Sequence, residues 1–195
     1  NGDDGANFLN NGENSHHVIV NSGLNSTAIL DGFTISGGND DSGVSGDGGG
    51  GMFNTNSNIT INNCTFSGNS ANFSGGGIYN KASSTACTNC HFTANKATNG
   101  GAGVYNFMGI ASVFTDCSFN GNISPNFGAL TNYLVGGTAT NCSFTGNSGG
   151  SGGAMYNHSG GSNIFNVTNC RFTSNTASSG GAIYDFSSGT LIVKN

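Results

Sequence analysis

Cysteines are the residues of this chain best suited to chemistry. Five of the six, Cys64, Cys90, Cys117, Cys142 and Cys170, follow one another at spacings of 26, 27, 25 and 28 residues. The sixth, Cys87, makes the pair Cys87-x-x-Cys90. A metal site needs a second pair at ligand spacing, and none follows. Two further readings stand beside the metal: buried thiols that act as small hydrophobes, or a disulfide, with Cys87–Cys90 as first candidate.

Carboxylates offer a second chemistry. The stretch Asn39-Asp40-Asp41-Ser42-Gly43-Val44-Ser45-Gly46-Asp47 carries three of them, and Asn1-Gly2-Asp3-Asp4-Gly5 has a similar character. Asp40, Asp41 and Asp47, with nearby carbonyls, have the oxygen chemistry for a structural Ca²⁺. Neither stretch has the spacing of an EF-hand loop. The alternative is a solvated, turn-rich loop. No other cofactor is expected.

Hydrolysis or lyase chemistry on a polysaccharide needs clustered carboxylates, or Ca²⁺-binding Asp with a basic residue. Glu13 is the one glutamate, and Asp31, Asp116 and Asp185 fall at different repeat positions. His16-His17 and His158 have no partner in sequence, and Arg171 and His91 share a repeat position three copies apart. The expectation is therefore that the protein is not an enzyme. Lys81, Lys96, Arg171 and Lys194 are scattered through a chain of net charge −5, which gives no footprint for a phosphate backbone. No apolar run reaches the ~20 residues that span a bilayer.

The elements that must position these groups repeat. The motif Asn/Asp-Cys-x-Phe-x-x-Asn occurs at 63–69, 89–95, 116–122, 141–147 and 169–175. A Gly-rich motif accompanies it: Gly50-Gly51-Met52-Phe53-Asn54, Gly76-Gly77-Ile78-Tyr79-Asn80 and Ala102-Gly103-Val104-Tyr105-Asn106. It continues as Gly128-Ala129-Leu130-Thr131-Asn132, Gly153-Ala154-Met155-Tyr156-Asn157 and Gly181-Ala182-Ile183-Tyr184-Asp185. Upstream, Leu30-Asp31-Gly32-Phe33-Thr34-Ile35 reads as a divergent copy, with Phe33 in the Cys place and Ile35 in the Phe place.

A period of ~26 residues is that of a solenoid. Apolar residues alternate over short runs and no 3.6-residue stripe is present, so strands are expected rather than helices. Strand, corner and strand at this period predict an all-β parallel β-helix of about seven coils, stacked at ~4.8 Å. Stacking puts like residues over like. Cys64, Cys90, Cys117, Cys142 and Cys170 then form one inward column, and Phe66, Phe92, Phe119, Phe144 and Phe172 a second. Met52, Ile78, Val104, Leu130, Met155 and Ile183 form a third. Asn columns suit corners, because Asn tolerates unusual φ and its amide bonds to the next turn.

Phe53, Tyr79, Tyr105, Tyr156 and Tyr184 stand beside the third column. Strict alternation points them outward, as an aromatic stripe suited to sugar rings or a partner surface. The other reading is a ladder covered by the Gly-rich loop. Thr88, Thr115, Thr140 and Thr168 make an outward column, but its neighbour (Thr65, His91, Ser118, Ser143, Arg171) is too irregular for a flat ice-binding face. Eight Asn-x-Ser/Thr triplets are what an Asn/Ser/Thr-rich chain produces by chance.

The pairing of Phe-x-x-Asn with Gly-Gly-Ala-Ile resembles the repeats of the chlamydial polymorphic membrane proteins, over roughly residues 30 to 195. It is also similar to related bacterial surface proteins with right-handed parallel β-helix repeats. That resemblance implies an extracellular or cell-surface location and adhesive or structural work. The chain departs from the family in lacking a membrane-inserting barrel, so no membrane insertion is expected.

The expected architecture is one right-handed β-helix domain, 1–195. It divides into a divergent N-terminal coil (1–29), an inserted acidic Gly-rich loop (38–49) and regular repeats (50–195). Asn195 aligns with Asn169, one place before a cysteine, so the repeat breaks off within a rung. Either the chain is cut from a longer solenoid or another chain covers this end. Expected partners are a second copy, stacked head to tail, or another surface protein. A glycan is the alternative partner, and nucleic acid is not expected.

Overall fold

In a computed structural model, residues 15–42, 46, 48–161, 163–186 and 188–195 are described. Among them every regular element is a β-strand, and no helix is long and apolar enough to cross a membrane. The chain winds as a parallel β-helix.

Three parallel sheets form its sides. The first stacks Ile19–Ser22, Met52–Thr55, Ile78–Lys81, Val104–Phe107, Leu130–Tyr133, Met155–His158 and Ile183–Asp185. The second stacks Ile29–Asp31, Asn58–Asn62, Ser84–Thr88, Ser112–Thr115, Gly137–Thr140, Ile164–Thr168 and Thr190–Lys194. The third stacks six strands, Thr34–Ser36, Thr65–Ser67, His91–Thr93, Ser118–Asn120, Ser143–Thr145 and Arg171–Thr173. Shorter pairings of Asn39–Asp40, Ser70–Ala71 and Lys96–Ala97, and of Ser148–Ser151 with Thr176–Ser179, begin the remaining side.

About seven equal coils were expected, and the regular part is about five. Met52, Ile78, Val104, Leu130, Met155 and Ile183 are register partners in turn. The turn before Met52 is longer, because Ile19 pairs with Met52 across 33 residues. After Ile183 only the strands Ile183–Asp185 and Thr190–Lys194 remain.

Left-handed residues make the corners. Between the second and third sheets a single residue with positive φ turns the chain: Asn63, Asn89, Asp116, Asn141 and Asn169, at φ 52–54°. Asn and Asp enter this region more readily than other side-chain-bearing residues. Between the first and second sheets the corner residues are Asn56, Ala82, Met108 and Leu134, and at the last three the positive φ carries strain that an Asn would lessen. After the third sheet the corners are Gly68, Ala94, Gly121, Gly146 and Ser174.

Inside, the Phe column forms the spine. Ring centroids from Phe66 to Phe92, Phe119, Phe144 and Phe172 are 5.3, 4.7, 4.7 and 5.0 Å apart, with planes within 14° of parallel. Volumes on the second sheet compensate between rungs: Phe165 pairs with Gly137, whose added Cβ would lie 2.7 Å from the ring, and Phe114 pairs with Ala139. Ile35 occupies the Phe position opposite Phe66, as expected. Phe33, in the Cys position, is 58% exposed.

Candidate binding surfaces and buried ladders

The Phe-x-x-Asn motif builds a buried amide ladder. Asn69, Asn95, Asn122, Asn147 and Asn175 stack, each Nδ2 donating to the Oδ1 of the next at 2.9–3.1 Å. The second Nδ2 hydrogen goes to the previous rung's third strand: Asn95 to the carbonyl of Phe66, Asn122 to Phe92, Asn147 to Phe119 and Asn175 to Phe144. Each Oδ1 of Asn95, Asn122, Asn147 and Asn175 also accepts the backbone N–H of the Asn before it, at 3.0–3.1 Å. Asn95, Asn122 and Asn147 thus have both donors and both acceptor sites filled, as a buried amide requires.

A second ladder runs inside the first sheet, in mid-strand rather than at a corner. Asn21, Asn54, Asn80 and Asn106 each donate to the next, the last to Asn132, at 2.7–2.8 Å. Asn157 donates to Asp185 at 2.7 Å. Between them lies a break: Asn132 Nδ2 and Asn157 Oδ1 are both buried and unpaired. A third, exposed ladder links corner residues, Asn63 donating to Asp31, Asn89 to Asn63, Asn141 to Asp116 and Asn169 to Asn141. The aspartates stand where a column needs only an acceptor. Asp116, whose carboxylate has no hydrogen to donate, interrupts the column above Asn89.

Each repeat cysteine caps its own corner. The thiols of Cys64, Cys90, Cys117, Cys142 and Cys170 donate to the carbonyls of Asn62, Thr88, Thr115, Thr140 and Thr168, two residues back, at 3.1–3.4 Å. All six cysteines are free, five of them buried and Cys170 half-buried. The Cys87–Cys90 disulfide considered from sequence is therefore not formed. Cys87 lies on the second sheet between Ile61 and Phe114, whereas Cys90 lies past the left-handed Asn89 in the next column. Hydrogen bonds from neighbouring thiols, then burial, raise Cys87, Cys117 and Cys170. Hydrogen bonds from Cys117 lower Cys90 and Cys142.

The aromatic column is not the surface stripe that alternation suggests. Tyr79, Tyr105 and Tyr156 are 1%, 4% and 6% exposed, and Phe53 and Tyr184 are half-buried. The Gly-rich segments fold back over them. Gly48, Ser74 and Gly100 bridge to one another as a further parallel layer. A Cβ on Gly48 would come within 3.0 Å of the Tyr79 ring, and one on Gly101 (φ +59°) within 2.6 Å of Tyr105 Cβ. Where the column has Thr131 in place of a Tyr, Phe127 supplies the ring, stacked 4.2 Å from Tyr156. Burial raises the phenols of Tyr105 and Tyr156 above their ordinary range.

The accessible aromatic column lies two residues further on. Phe107, Tyr133 and His158 are register partners, and Phe186 follows Asp185, the partner of Asn157. Successive rings are 5.7, 4.6 and 5.4 Å apart. The first three are half-buried and Phe186 is 60% exposed. Sequence reasoning missed this column because its types vary from rung to rung, beginning Thr55, Lys81. The one signal was position, the residue after each Asn of the first-sheet ladder. His158 closes the strand Met155–His158 and is half-buried.

The acidic loop divides its carboxylates. Asp40 is buried and its Oδ1 accepts from the Ser42 hydroxyl at 2.7 Å, while Asp41 Oδ1 lies 3.0 Å from His16 Nδ1. Asp47 lies outside the described residues. No group of three metal-ligating side chains converges among the described residues. Thr88, Thr115, Thr140 and Thr168 do form one column on the second sheet.

Two stretches of this chain match the Chlamydia polymorphic membrane protein repeat, residues 63–81 and 169–185. Each runs from an Asn-Cys corner through Phe-x-x-Asn to the Gly-rich strand. The match therefore covers, in two rungs, the thiol cap, one ring of the spine and one amide of the buried ladder. No curated protein and no solved structure matches the chain. Repeat and solenoid together support a surface-associated β-helix protein.

Proposed function

We propose that the protein is a non-catalytic structural and adhesive module of the cell surface that can stack head to tail with a second copy. One observation carries the reading: the outermost described strands pair on one side only. Ile19–Ser22 and Ile29–Asp31 stand at one end of the first and second sheets, and Ile183–Asp185 and Thr190–Lys194 at the other. Open backbone edges template pairing with further strands unless blunted. Half-buried Ile19 and Leu30 at one end, and Ile183 and Leu191 at the other, present core residues to whatever continues the stack. Head-to-tail contact of this kind is heterologous and need not close, so it grows into fibres. The surface setting rests on the repeat match.

Sedimentation velocity over a wide concentration range tests the assembly. Stacking predicts a weight-average mass that rises with concentration and falls back for Leu191→Asp. A wild-type chain that stays monomeric at high concentration contradicts it.

A further inference from the structure

On the fourth side of the solenoid a groove of about 330 Å³ runs across interior rungs, bordered by Ser70, Lys96, Ala97, Thr98, Ile123 and Pro125 among others. Paired segments continue past it in both directions along the axis, Asn39–Asp40 beyond Ser70–Ala71 and Ser148 beyond Ile123. The groove therefore does not owe its opening to an end of the stack. Pro125, the chain's one proline, shapes it. One rung earlier, the Thr98 N–H donates to the Ala71 carbonyl at 3.1 Å. Lys96 bridges to Ile123, so Pro125 stands where the matching donor to the Ala97 carbonyl belongs. Its nitrogen carries no hydrogen, and the ladder lapses at that carbonyl. Lys96 is exposed, and no described carboxylate lies within ion-pair distance of it. Asp40, on the same side, is two rungs from Ala97 and accepts from Ser42. Ile123, the bridge partner of Lys96, is 49% exposed.

An unpaired ammonium, a carbonyl short of its donor and an apolar lip suit a ligand with a carboxylate, an N–H and a methyl group. An N-acetylated sugar acid carries all three on one small ring. The cation selects for the carboxylate, in a groove that holds no acidic side chain. The carbonyl selects for the acetamide, because a ligand without an N–H there leaves the acceptor unsatisfied. Size agrees: ligand sites run from roughly 300 to 1,000 Å³, and this groove has room for one sugar residue rather than a folded partner. We propose that the groove binds one N-acetylated sugar acid, with its carboxylate on Lys96, its acetamido N–H on the Ala97 carbonyl and its acetyl methyl against Ile123 and Pro125. Sialic and muramic acids share this chemistry.

This goes beyond the stacking reading and does not depend on it, since the groove faces sideways in a monomer and in a fibre alike. The experiment is calorimetric titration of the whole chain with the methyl glycosides of N-acetylneuraminic acid and N-acetylmuramic acid. Methyl glycosides of N-acetylglucosamine, which lacks the acid, and of glucuronic acid, which lacks the acetamide, are the controls. Expected is saturable binding of at least one N-acetylated acid, about tenfold or more tighter than either control. Whichever acid binds names the source. Lys96→Gln should lose about tenfold, while Lys96→Arg, which keeps the charge, should bind. Pro125→Ala returns an N–H to the Ala97 carbonyl, so its affinity should fall to that of the glucuronic acid control. The wild-type comparison among the four sugars stands whether or not a variant folds. Binding of neither N-acetylated acid, equal binding of a control, or undiminished binding by Lys96→Gln would each overturn the proposal.

Discussion

Asn95 Nδ2 donates to the carbonyl oxygen of Phe66 at 2.9 Å, one rung back in the stack. This contact joins the two residues that define the repeat. Phe sets the spine, and the Asn three places later closes the carbonyl of the Phe beneath it. Spacing and stacking are thus one constraint, because moving either residue within its coil would leave a buried polar group unpaired.

Replacing Asn122 tests that constraint. Asn122→Ala removes the donor to Phe92 and the acceptor for the Asn95 amide and backbone N–H. Each orphaned buried group costs about 1–3 kcal/mol, so a loss on the order of 3 kcal/mol or more is expected from urea unfolding followed by circular dichroism. Asn122→Asp should cost more at neutral pH, because it adds a buried charge and still lacks the donors.

The spine itself should be costly to cut. Phe119 is fully buried and stacks on Phe92 and Phe144, both at 4.7 Å. Phe119→Ala is expected to destabilise by about 3–5 kcal/mol, and Phe119→Leu by clearly less. A comparable effect of the two would argue against ring stacking.

Ala94 turns a corner at φ +54° where neighbouring rungs have Gly68 and Gly121. It is exposed, so little packing is at stake. Ala94→Gly should stabilise by up to about 1 kcal/mol, the steric relief exceeding glycine's greater entropy in the unfolded chain. Thermal melts of the pair provide the comparison.

Thiol accessibility follows from the column. In the native protein Cys170 should react first with a thiol-specific disulfide reagent, because it alone is half-buried. The other five should react only as the chain opens. Mass spectrometry of natively alkylated protein reads this directly, and rapid native labelling of Cys90 or Cys117 would contradict the burial.

Burial of phenols makes stability fall in alkali. Tyr105 and Tyr156 have raised folded values, so the neutral form is favoured in the native state. Below about pH 10 both states carry the proton and nothing changes. Above it the unfolded chain releases protons that the folded chain keeps, so stability declines as pH rises. Ultraviolet titration should show these two phenols ionising late, together with unfolding.

Much of the fold is legible because a solenoid repeats its errors as well as its rules. Six copies of the Gly-rich motif, with Ala102 for the first Gly in one and Asp185 for the Asn in another, fix the first sheet, and Cys64 and Phe66 with their counterparts fix the third. The buried tyrosines were harder. Period-two alternation correctly turns Tyr79 away from the core side of Ile78, yet exposure depends on whether another segment covers that face. Here the Gly-rich segment does, and its path is set by positive φ at Gly75 and Gly101 rather than by any apolar pattern. Phe107, Tyr133, His158 and Phe186 share a column without sharing a chemistry, so only the register brings them together. The corner at Met108 and Leu134 was hidden for a similar reason, since neither residue type signals a left-handed turn.

Spin-label distances along one outward column test the stack most directly. Thr65 and Arg171 lie on the third sheet four rungs apart, and Thr34 and Arg171 five. Nitroxides carried on unnatural side chains, which leave the native thiols alone, should give mean separations of about 19 and 24 Å, rising by ~4.8 Å per rung. Separations that do not grow with rung number would contradict the β-helix and everything drawn from it.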